Sequence, residues 1–305
     1  MSTIGIDIGG SKALAVRFDD GVLAEQRHMA TDRAPLINVA LSAIRSVWAD
    51  DVDAVGVGIA GLVQWPEGVF AWGPHVDGAN IPLKSLLEEE LEIPVAVDND
   101  ANVAAFGERV AGAARGFDDF LLVTLGTGIG GAIVIDGSVY RGESFAGEWG
   151  HIRHGQTGLL CDCGKRGCWE TVASGPALVR LAREVMSLNP EGSLARRLGS
   201  RPITGEDVTA AADSGDEVAR GLVAEVGSEL GRGLANLIAI FDPELVIVGG
   251  GLGSVGESLL GPARRVAAEA LHGGNHRLLP PILVAGAGPQ AGAVGAAYLA
   301  SSIRS

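Results

Sequence analysis

The sequence predicts an α/β protein built from two related domains. Short apolar runs with the length of buried strands alternate with segments of helical periodicity, the pattern of sheets covered by helices. The chain has 305 residues, of which 47% are hydrophobic, so it is long enough to bury two cores. The alternation restarts near residue 120 with another apolar strand that runs into glycine. These three observations together predict two halves of the same general design.

The predicted elements are short and closely spaced. In the first half they are strands at 4–8 and 13–18 joined by a glycine turn, a helix at 35–48, a strand at 54–60, a helix at 81–91, a strand at 94–97 and a helix at 102–110. In the second half they are strands at 120–125 and 132–135, a loop region at 137–175, helices at 176–188 and 217–240, a strand at 245–248, a helix at 257–271, and a strand at 282–285 before a last helix.

The two halves resemble each other at corresponding strand ends. Residues 6–9 and 123–126 both end an apolar strand at a glycine, and residues 55–61 and 246–251 are both strands that run into glycine. We therefore predict an N-terminal domain at 1–116 and a C-terminal domain at 117–305, with the ligand bound in the cleft between them. We expect the last helix, at about 290–303, to pack back on the N-terminal domain.

Composition and charge exclude several classes of protein. The net charge is −14 and no run of Lys or Arg is present, so a nucleic-acid partner is not predicted. No basic segment precedes an apolar one at the N-terminus, so a secretory signal is not predicted. The apolar stretch at 282–300 approaches the length of a membrane span, but glycines and a proline interrupt it and favour buried core. We expect a cytoplasmic protein without a membrane partner.

The glycine-rich loops do not predict a dinucleotide site. The spacing G-x-G-x-x-G occurs at 126–131 and at 251–256, but such a site needs the loop to open a helix. A β-branched strand follows the first loop, and the strand after the second lacks the acidic residue that holds a ribose. The segment at 7–12 approaches a P-loop, yet its Lys12 follows Ser11 and a strand comes next.

We predict instead two β-hairpins that face each other across a cleft and whose turns present backbone N–H groups to phosphates. Asp7 ends the first strand beside such a turn, where a carboxylate repels phosphate unless a cation intervenes. Asp7 is therefore interpreted as a residue that orients hydrated Mg²⁺, with a turn-capping role as the alternative. Lys12 either neutralises phosphate charge or is a solvated surface residue.

The segment Asp98-Asn99-Asp100 follows a predicted strand and precedes a predicted helix. A helix N-terminus favours an ionised carboxylate, which can accept a hydroxyl proton during phosphoryl transfer. Asn and Asp are also favoured N-cap residues, and from spacing alone the capping interpretation is the stronger one.

A compact cysteine cluster predicts a structural zinc site. Cys161, Cys163 and Cys168 make a poor disulfide framework, because their number is odd and they lie within eight positions. Structural zinc takes four nitrogen or sulfur ligands, and two histidines lie just upstream, His151 and His154. The chemistry of the residues does not choose between these histidines, and three reduced thiols without metal are the alternative.

Five segments occur in the order seen in ROK-family sugar kinases. They are 7–12 (DIGGSK), 98–102 (DNDAN), 125–131 (LGTGIGG), 147–151 (GEWGH) and 161–170 (CDCGKRGCWE). The chain resembles this family over nearly its whole length, including 249–253 and 292–297. The cysteine segment preceded by Gly-Glu-x-Gly-His is highly specific, whereas the glycine loops alone are not. The resemblance implies an actin-like ATPase (ribonuclease H-like) fold with Mg-ATP in the interdomain cleft.

The resemblance also implies roles for individual residues. Asp100 is then the general base and Asn99 hydrogen-bonds the sugar, while Glu148, His151 and Glu170 contact sugar hydroxyls. The resemblance selects His151 as the fourth zinc ligand, with Cys161, Cys163 and Cys168. The nucleotide-binding positions that it implies are Asp7, Gly9, Gly10, Ser11, Lys12, Gly126, Thr127, Gly128, Gly130, Gly250 and Gly251.

One departure from the family pattern bears on the substrate. His75 stands where many glucokinases of this family have a sugar-binding Asn, within residues 72–80. The expected activity is ATP-dependent phosphorylation of a hexose in glycolysis, glucose to glucose 6-phosphate. N-acetylmannosamine, N-acetylglucosamine, mannose and fructose are alternative substrates, and polyphosphate is an alternative donor.

A sugar-responsive repressor is the runner-up, since the family includes DNA-binding members. Those members carry an N-terminal helix-turn-helix, for which a first strand that begins at residue 4 leaves no room. The family resemblance also leads us to expect a homo-oligomer, a dimer or a tetramer.

Overall fold

The computed structural model describes residues 2–10, 12–31, 34–74, 76–154, 158–199 and 201–303. The first elements are β1 (Ser2–Ile8), β2 (Lys12–Asp19), β3 (Val22–Ala30), α1 (Leu36–Arg45), β4 (Val52–Ile59), β5 (Leu62–Gln64), β6 (Val69–Trp72), α2 (Leu83–Leu91), β7 (Val95–Asn99) and α3 (Asp100–Ala111). They are followed by β8 (Phe120–Leu125), β9 (Ile129–Ile135), β10 (Ser138–Val139), α4 (Glu170–Ala173), α5 (Gly175–Leu188), α6 (Ser193–Leu198), α7 (Gly205–Asp213) and α8 (Glu217–Phe241). The last are β11 (Leu245–Gly249), α9 (Gly250–Gly253), α10 (Glu257–Ala270), β12 (Ile282–Val284) and α11 (Ala291–Ser302).

The strands form two five-stranded sheets of the same design. The first has the order β3-β2-β1-β4-β7 and the second has the order β10-β9-β8-β11-β12. In the first sheet, β1 pairs antiparallel with β2 and parallel with β4, and β4 pairs parallel with β7. In the second, β9 and β10 are antiparallel and β11 and β12 are parallel. The matching orders confirm the predicted α/β fold of two related halves.

The chain divides into two compact units. Unit 1 comprises Met1–Phe120, Ala132–Gly147 and Gly286–Ser305, and unit 2 comprises Leu121–Gly131 and Glu148–Ala285. The predicted domain ranges, 1–116 and 117–305, stay a prediction. Residues 132–147 group with unit 1 because their side chains and carbonyls bond its helix α3 and strand β7, for example Gly137 O with Arg109.

Helix α11 lies against β1, β4 and α3 within unit 1 at a separation that only glycine allows. A Cβ on Gly5 would lie 2.0 Å from Ala293 O, and one on Gly295 would lie 1.7 Å from Val103 O. Small residues along α11 therefore let its backbone approach the sheet directly. This packing explains the second part of the apolar stretch at 282–300, because most of residues 291–300 are buried in α11. Among the described residues, no helix has the length and apolar character needed to cross a membrane.

Several elements were not predicted, and each lacks the pattern that a prediction needs. Strand β3 is an edge strand whose residues are mostly exposed, so polar and apolar side chains do not alternate regularly along it. Strands β5 and β6 form a small two-stranded sheet of three and four residues, which is too short for periodicity to register. Helices α6 and α7 are likewise short, with six and nine residues.

A buried carboxylate fixes the chain where α11 approaches α3. Glu108 is fully buried, and its Oε2 accepts hydrogen bonds from the N–H groups of Ala113, at 2.8 Å, and Gly286, at 2.9 Å. Its Oε1 accepts a third from Ala287 N–H at 2.9 Å. One side chain thus satisfies three backbone donors at the end of α3 and at the start of the segment that leads into α11.

We predict that Glu108→Ala lowers the free energy of unfolding by about 2–4 kcal/mol, because it leaves three buried N–H groups without a hydrogen-bond acceptor. Glu108→Gln keeps one carbonyl acceptor and should cost less than the alanine variant. Urea titrations followed by circular dichroism measure both losses. Equal stability of Glu108→Ala and the unmodified chain would contradict this role.

Candidate active site

The first phosphate turn lies between β1 and β2. The turn is closed by a hydrogen bond from Gly9 N–H to Lys12 O at 3.0 Å, and Gly10 and Lys12 are exposed. Ser11 lies outside the described residues. The carboxylate of Asp7, at the end of β1, packs against helix α11. A Cβ on Gly292 would lie 2.4 Å from Asp7 Oδ2, so the helix can approach this carboxylate only through glycine.

Asn99 and Asp100 lie where β7 passes into α3. Asn99 is the N-cap: its Oδ1 accepts hydrogen bonds from Ala101 N–H at 2.8 Å and Asn102 N–H at 3.3 Å. Its Nδ2 donates to Gly61 O at 3.0 Å. Asp100 follows as the first helical residue, and its Oδ1 accepts from Ala101 N–H at 2.9 Å. The capping role thus belongs to Asn99, and Asp100 takes the position where the helix dipole favours an anion.

Two half-buried carboxylates interact in unit 1. Burial, followed by the charge of Asp100, raises the pKa of Asp7 to about 7, while Lys12 acts in the opposite direction. Burial also raises the pKa of Asp100, with a smaller contribution in the same direction from Asp98, whereas the Ala101 N–H lowers it. A general base works best when its pKa lies near the working pH, and a carboxylate in water has a pKa far below it. The surroundings of Asp100 move its pKa in the direction that base catalysis needs.

Sequence reasoning missed Arg141, which contacts Asp98, the first residue of the segment Asp98-Asn99-Asp100. Asp98 is buried, and its Oδ2 accepts from Nε and Nη2 of Arg141 at 2.9 and 2.7 Å. Arg141 lies beyond β10 in a stretch that the sequence predicted only as loop. A lone Arg in a glycine-containing loop carries no pattern that could have identified it.

The second phosphate turn joins β8 and β9 in unit 2. Gly126 N–H donates to Gly128 O at 3.0 Å, and Thr127 is exposed. A Cβ on Gly128 would lie 2.4 Å from Glu170 Oε2, and one on Gly131 would lie 1.9 Å from the ring of Trp149. The glycines therefore let the turn pack directly on the segments that carry Glu148 and Glu170.

Trp149 also bonds the turn itself, because its indole Nε1 donates to Gly130 O at 3.2 Å. Gly250 and Gly251 begin helix α9, beside the end of strand β8. A Cβ on Gly250 would lie 2.3 Å from Leu125 O, at the end of β8, whereas nothing lies within 4 Å of the corresponding position on Gly251. The backbone of unit 2 thus brings two of the predicted nucleotide-binding segments, 126–130 and 250–251, together at the end of β8.

The three cysteines and His151 lie together. Their candidate ligand atoms all fall within 4.8 Å of one another. The Cys163 and Cys168 sulfurs are 3.7 Å apart, and the Cys161 sulfur is 3.6 Å from His151 Nδ1. Tetrahedral zinc places two sulfurs about 3.8 Å apart, and a sulfur and a nitrogen about 3.6 Å apart. The donor set and its spacing therefore fit structural zinc.

His154, the other candidate ligand, points elsewhere. It is buried, and its Nε2 lies 3.0 Å from Glu229 Oε2 on helix α8. Trp169 donates from its indole to Glu229 O at 3.1 Å. His154 and Trp169 thus fasten the cysteine loop to α8, and His151 is the histidine beside the thiols.

The sugar-contacting residues implied in unit 2 differ in their surroundings. Glu170 is half-buried, with its Oε1 2.7 Å from the Cys161 sulfur and 3.3 Å from His151 Nδ1. Burial, and then Glu170, raises the pKa of the Cys161 thiol. Glu148 is exposed and precedes a 3₁₀ turn at Trp149–His151. His75 lies outside the described residues.

Known proteins resemble this chain over nearly its whole length. A model of the ROK family matches residues 3–303. A glucokinase from Streptomyces coelicolor is 39% identical over 307 aligned residues, which cover 98% of this chain and 97% of that one. A ROK-family glucokinase from Streptomyces griseus, solved with glucose and AMPPNP, is 41% identical with a TM-score of 0.90, covering 99% of this chain and all of its own. A ROK hexokinase from Thermus thermophilus is 32% identical with a TM-score of 0.79, over 99% of each chain.

The fold is the actin-like ATPase fold, as predicted. The chain belongs to the ROK family.

We predict that the purified protein contains one zinc ion per chain and that Cys163→Ser lowers zinc affinity by about 100-fold or more, because a closed site loses a thiolate ligand. His154→Gln is the matched control, since His154 bonds Glu229 and should leave the zinc content unchanged. Metal analysis after dialysis against a graded series of chelator concentrations measures both. Zinc loss in His154→Gln with retention in His151→Gln would reverse the assignment of the histidines.

Proposed function

We propose that the protein is an ATP-dependent glucokinase that transfers the γ-phosphoryl group of ATP to the 6-hydroxyl of glucose. The observation that carries the proposal is Asp100, a half-buried carboxylate with a raised pKa at the N-terminus of α3. It occurs in a chain that is similar over nearly its whole length to glucokinases. A carboxylate placed in this way can take the proton of the attacking hydroxyl.

In the proposed reaction, the glucose 6-oxygen forms a bond to the γ-phosphorus as the bond from that phosphorus to the leaving oxygen of ADP breaks. Asp100 accepts the hydroxyl proton and later releases it to water. Positioning and charge neutralisation do most of the work in phosphoryl transfer. Asp7 orients hydrated Mg²⁺, and Lys12 adds positive charge near the phosphates. The N–H groups of the two glycine turns donate to phosphate oxygens.

Sugar recognition is assigned to Asn99, Asp100, Glu148, His151 and Glu170, together with His75, which lies outside the described residues. Carboxylates accept hydrogen bonds from neighbouring sugar hydroxyls. His151 turns Nδ1 toward the thiols, so its Nε2 points the other way and is placed to bond a hydroxyl. Metal and sugar would then share one imidazole.

A bound zinc ion would be held by His151, Cys161, Cys163 and Cys168. Such an ion acts structurally, because four protein ligands leave no position for water. Zinc would replace the Cys161 thiol proton, which the structure places 2.7 Å from Glu170 Oε1, and so relieve the contact between that thiol and the carboxylate. Glu170 would then be available to a sugar hydroxyl.

Another hexose or an N-acetylhexosamine is the second candidate substrate. The segment at 72–80 departs from the glucokinase pattern at His75, which lies outside the described residues. A DNA-binding, sugar-responsive regulator is disfavoured, because the net charge of −14 does not suit a nucleic-acid partner. A dimer or tetramer, a cytoplasmic location and the preference for ATP over polyphosphate stay predictions.

The test is ADP release from Mg-ATP by the zinc-loaded protein with glucose, mannose, fructose, N-acetylglucosamine and N-acetylmannosamine. We expect turnover with glucose, and a kcat about 1000-fold lower in Asp100→Asn with glucose binding retained. Asp213→Asn, an exposed residue of α7, is the matched control and should behave as the unmodified chain. Near-normal kcat in Asp100→Asn would contradict the base assignment, and turnover with an N-acetylhexosamine alone would replace the substrate.

A further inference from the structure

A buried ion pair lies directly beneath the catalytic segment. Asp98 has 1% of its side chain exposed and Arg141 has 14%. Both contacts to Asp98 Oδ2 are short, at 2.9 Å from Nε and 2.7 Å from Nη2. A charged pair this deeply buried is costly to desolvate, and replacing it with apolar groups often stabilises a protein. A role other than stability is therefore the better explanation for it.

The other oxygen of Asp98 holds the residues on either side of Asp100. Asp98 Oδ1 accepts from Asn99 N–H at 2.7 Å and from Asn102 Nδ2 at 2.8 Å. Asn102 is itself buried, in the first turn of α3. One carboxylate thus brackets the backbone that carries Asp100, before it and after it. The position of this carboxylate is set by Arg141.

Arg141 is held in turn by aromatic and backbone contacts. Its guanidinium carbon lies 4.0 Å from the ring centroid of Trp65 and 5.9 Å from that of Phe106. Its Nη1 donates to Val139 O at 3.2 Å. A planar guanidinium can stack on a ring and bond a carboxylate at the same time, which a lysine cannot do. The rotamer of Arg141 is therefore fixed on several sides.

The same contacts reach the segment that precedes residues 72–80. Trp65 immediately follows β5, and its N–H donates to Ser144 Oγ at 3.2 Å, three residues beyond Arg141. At the other end of β5, Gly61 O accepts from Asn99 Nδ2 at 3.0 Å. Strand β5 is thus bonded near both ends to the groups that surround Asp100. Three separate segments of unit 1 meet at this ion pair.

We propose that Asp98 and Arg141 form a positioning pair that fixes Asn99 and Asp100 in the orientation required for phosphoryl transfer. The inference rests on the proposed function, since it takes Asp100 as the base and Asn99 as a sugar contact. Neither member of the pair is assigned a contact with sugar or nucleotide. They act through Asn99, Asn102 and the start of α3.

The proposal predicts a specific split among kinetic constants. A shift of about 1 Å in a reacting group costs about 100-fold in rate. Arg141→Gln should therefore lower kcat by about 10- to 100-fold and raise the glucose KM, through Asn99, while the KM for Mg-ATP changes by less than about threefold. A pair with only a structural role would lower the thermal midpoint and leave kcat per folded site unchanged. Calorimetric titration with glucose supplies the number of folded sites.

A double-mutant cycle tests the interaction itself. Asp98→Asn should resemble Arg141→Gln. The double variant Asp98→Asn/Arg141→Gln replaces the ion pair with two amides that can bond each other, and should recover kcat to within about tenfold of the unmodified chain. Arg109→Gln is the matched control. It removes a more exposed pair with Asp118, at the far end of the same helix, and should change kcat by less than about twofold.

A second variant tests the proposal if Arg141→Gln does not fold. Trp65→Leu keeps both charges and removes the ring under Arg141, so it should lower kcat by about tenfold with a normal KM for Mg-ATP. Unchanged kcat per folded site in Arg141→Gln and Trp65→Leu, in a protein that turns over glucose, would overturn the proposal. Absence of turnover in the unmodified, zinc-loaded chain would instead refute the proposed function. In that case glucose affinity tests the positioning pair. The variants should lower the affinity for glucose, and an unchanged affinity would overturn the proposal.

Discussion

The interaction between two half-buried carboxylates, Asp7 and Asp100, governs the electrostatics of the candidate site in unit 1. Burial, and then the charge of Asp100, raise the pKa of Asp7 to about 7. A raised pKa in an acid means that the folded chain favours the protonated form. The resulting stability is present below the ordinary pKa of 3.8 and is lost as the pH rises through about 7.

Asp7 and Asp100 are kept in position by rigid neighbouring groups. On one side, α11 lies directly against the Asp7 carboxylate through Gly292. On the other, Asn99 caps α3 and Asp98 bonds the backbone around Asp100, with Arg141 fixing Asp98. Unit 2 meets a comparable demand in another way. Its loop at 158–170 is fastened to α8 by the buried Trp169, and the three cysteines of this loop lie together with His151.

Much of the fold and of the candidate site could be predicted from the sequence, because the residue patterns that indicate them are local. Three features each lie within a short window: the paired strands around each glycine turn, the start of α3 within Asp98-Asn99-Asp100, and the Cys161-Cys163-Cys168 spacing. The choice of His151 over His154 rested on family resemblance, and the structure adds that His154 is engaged by Glu229. Arg141 and Trp65 could not be found in this way, because their partners lie far away in sequence and their neighbours form no pattern. Edge strand β3 and the short β5–β6 pair were missed because exposure or brevity removes the periodicity.

The most direct test of the coupled carboxylates is a pH titration of the aspartate carboxyl carbons by ¹³C NMR, in protein labelled only at aspartate. The Asp7 resonance is identified by its loss in Asp7→Asn. We expect Asp7 to titrate near pH 7 in the free protein, and its pKa to fall in Asp100→Asn, where the charge of Asp100 is gone. Titration of Asp7 near its ordinary pKa of 3.8, unaffected by Asp100→Asn, would contradict the account.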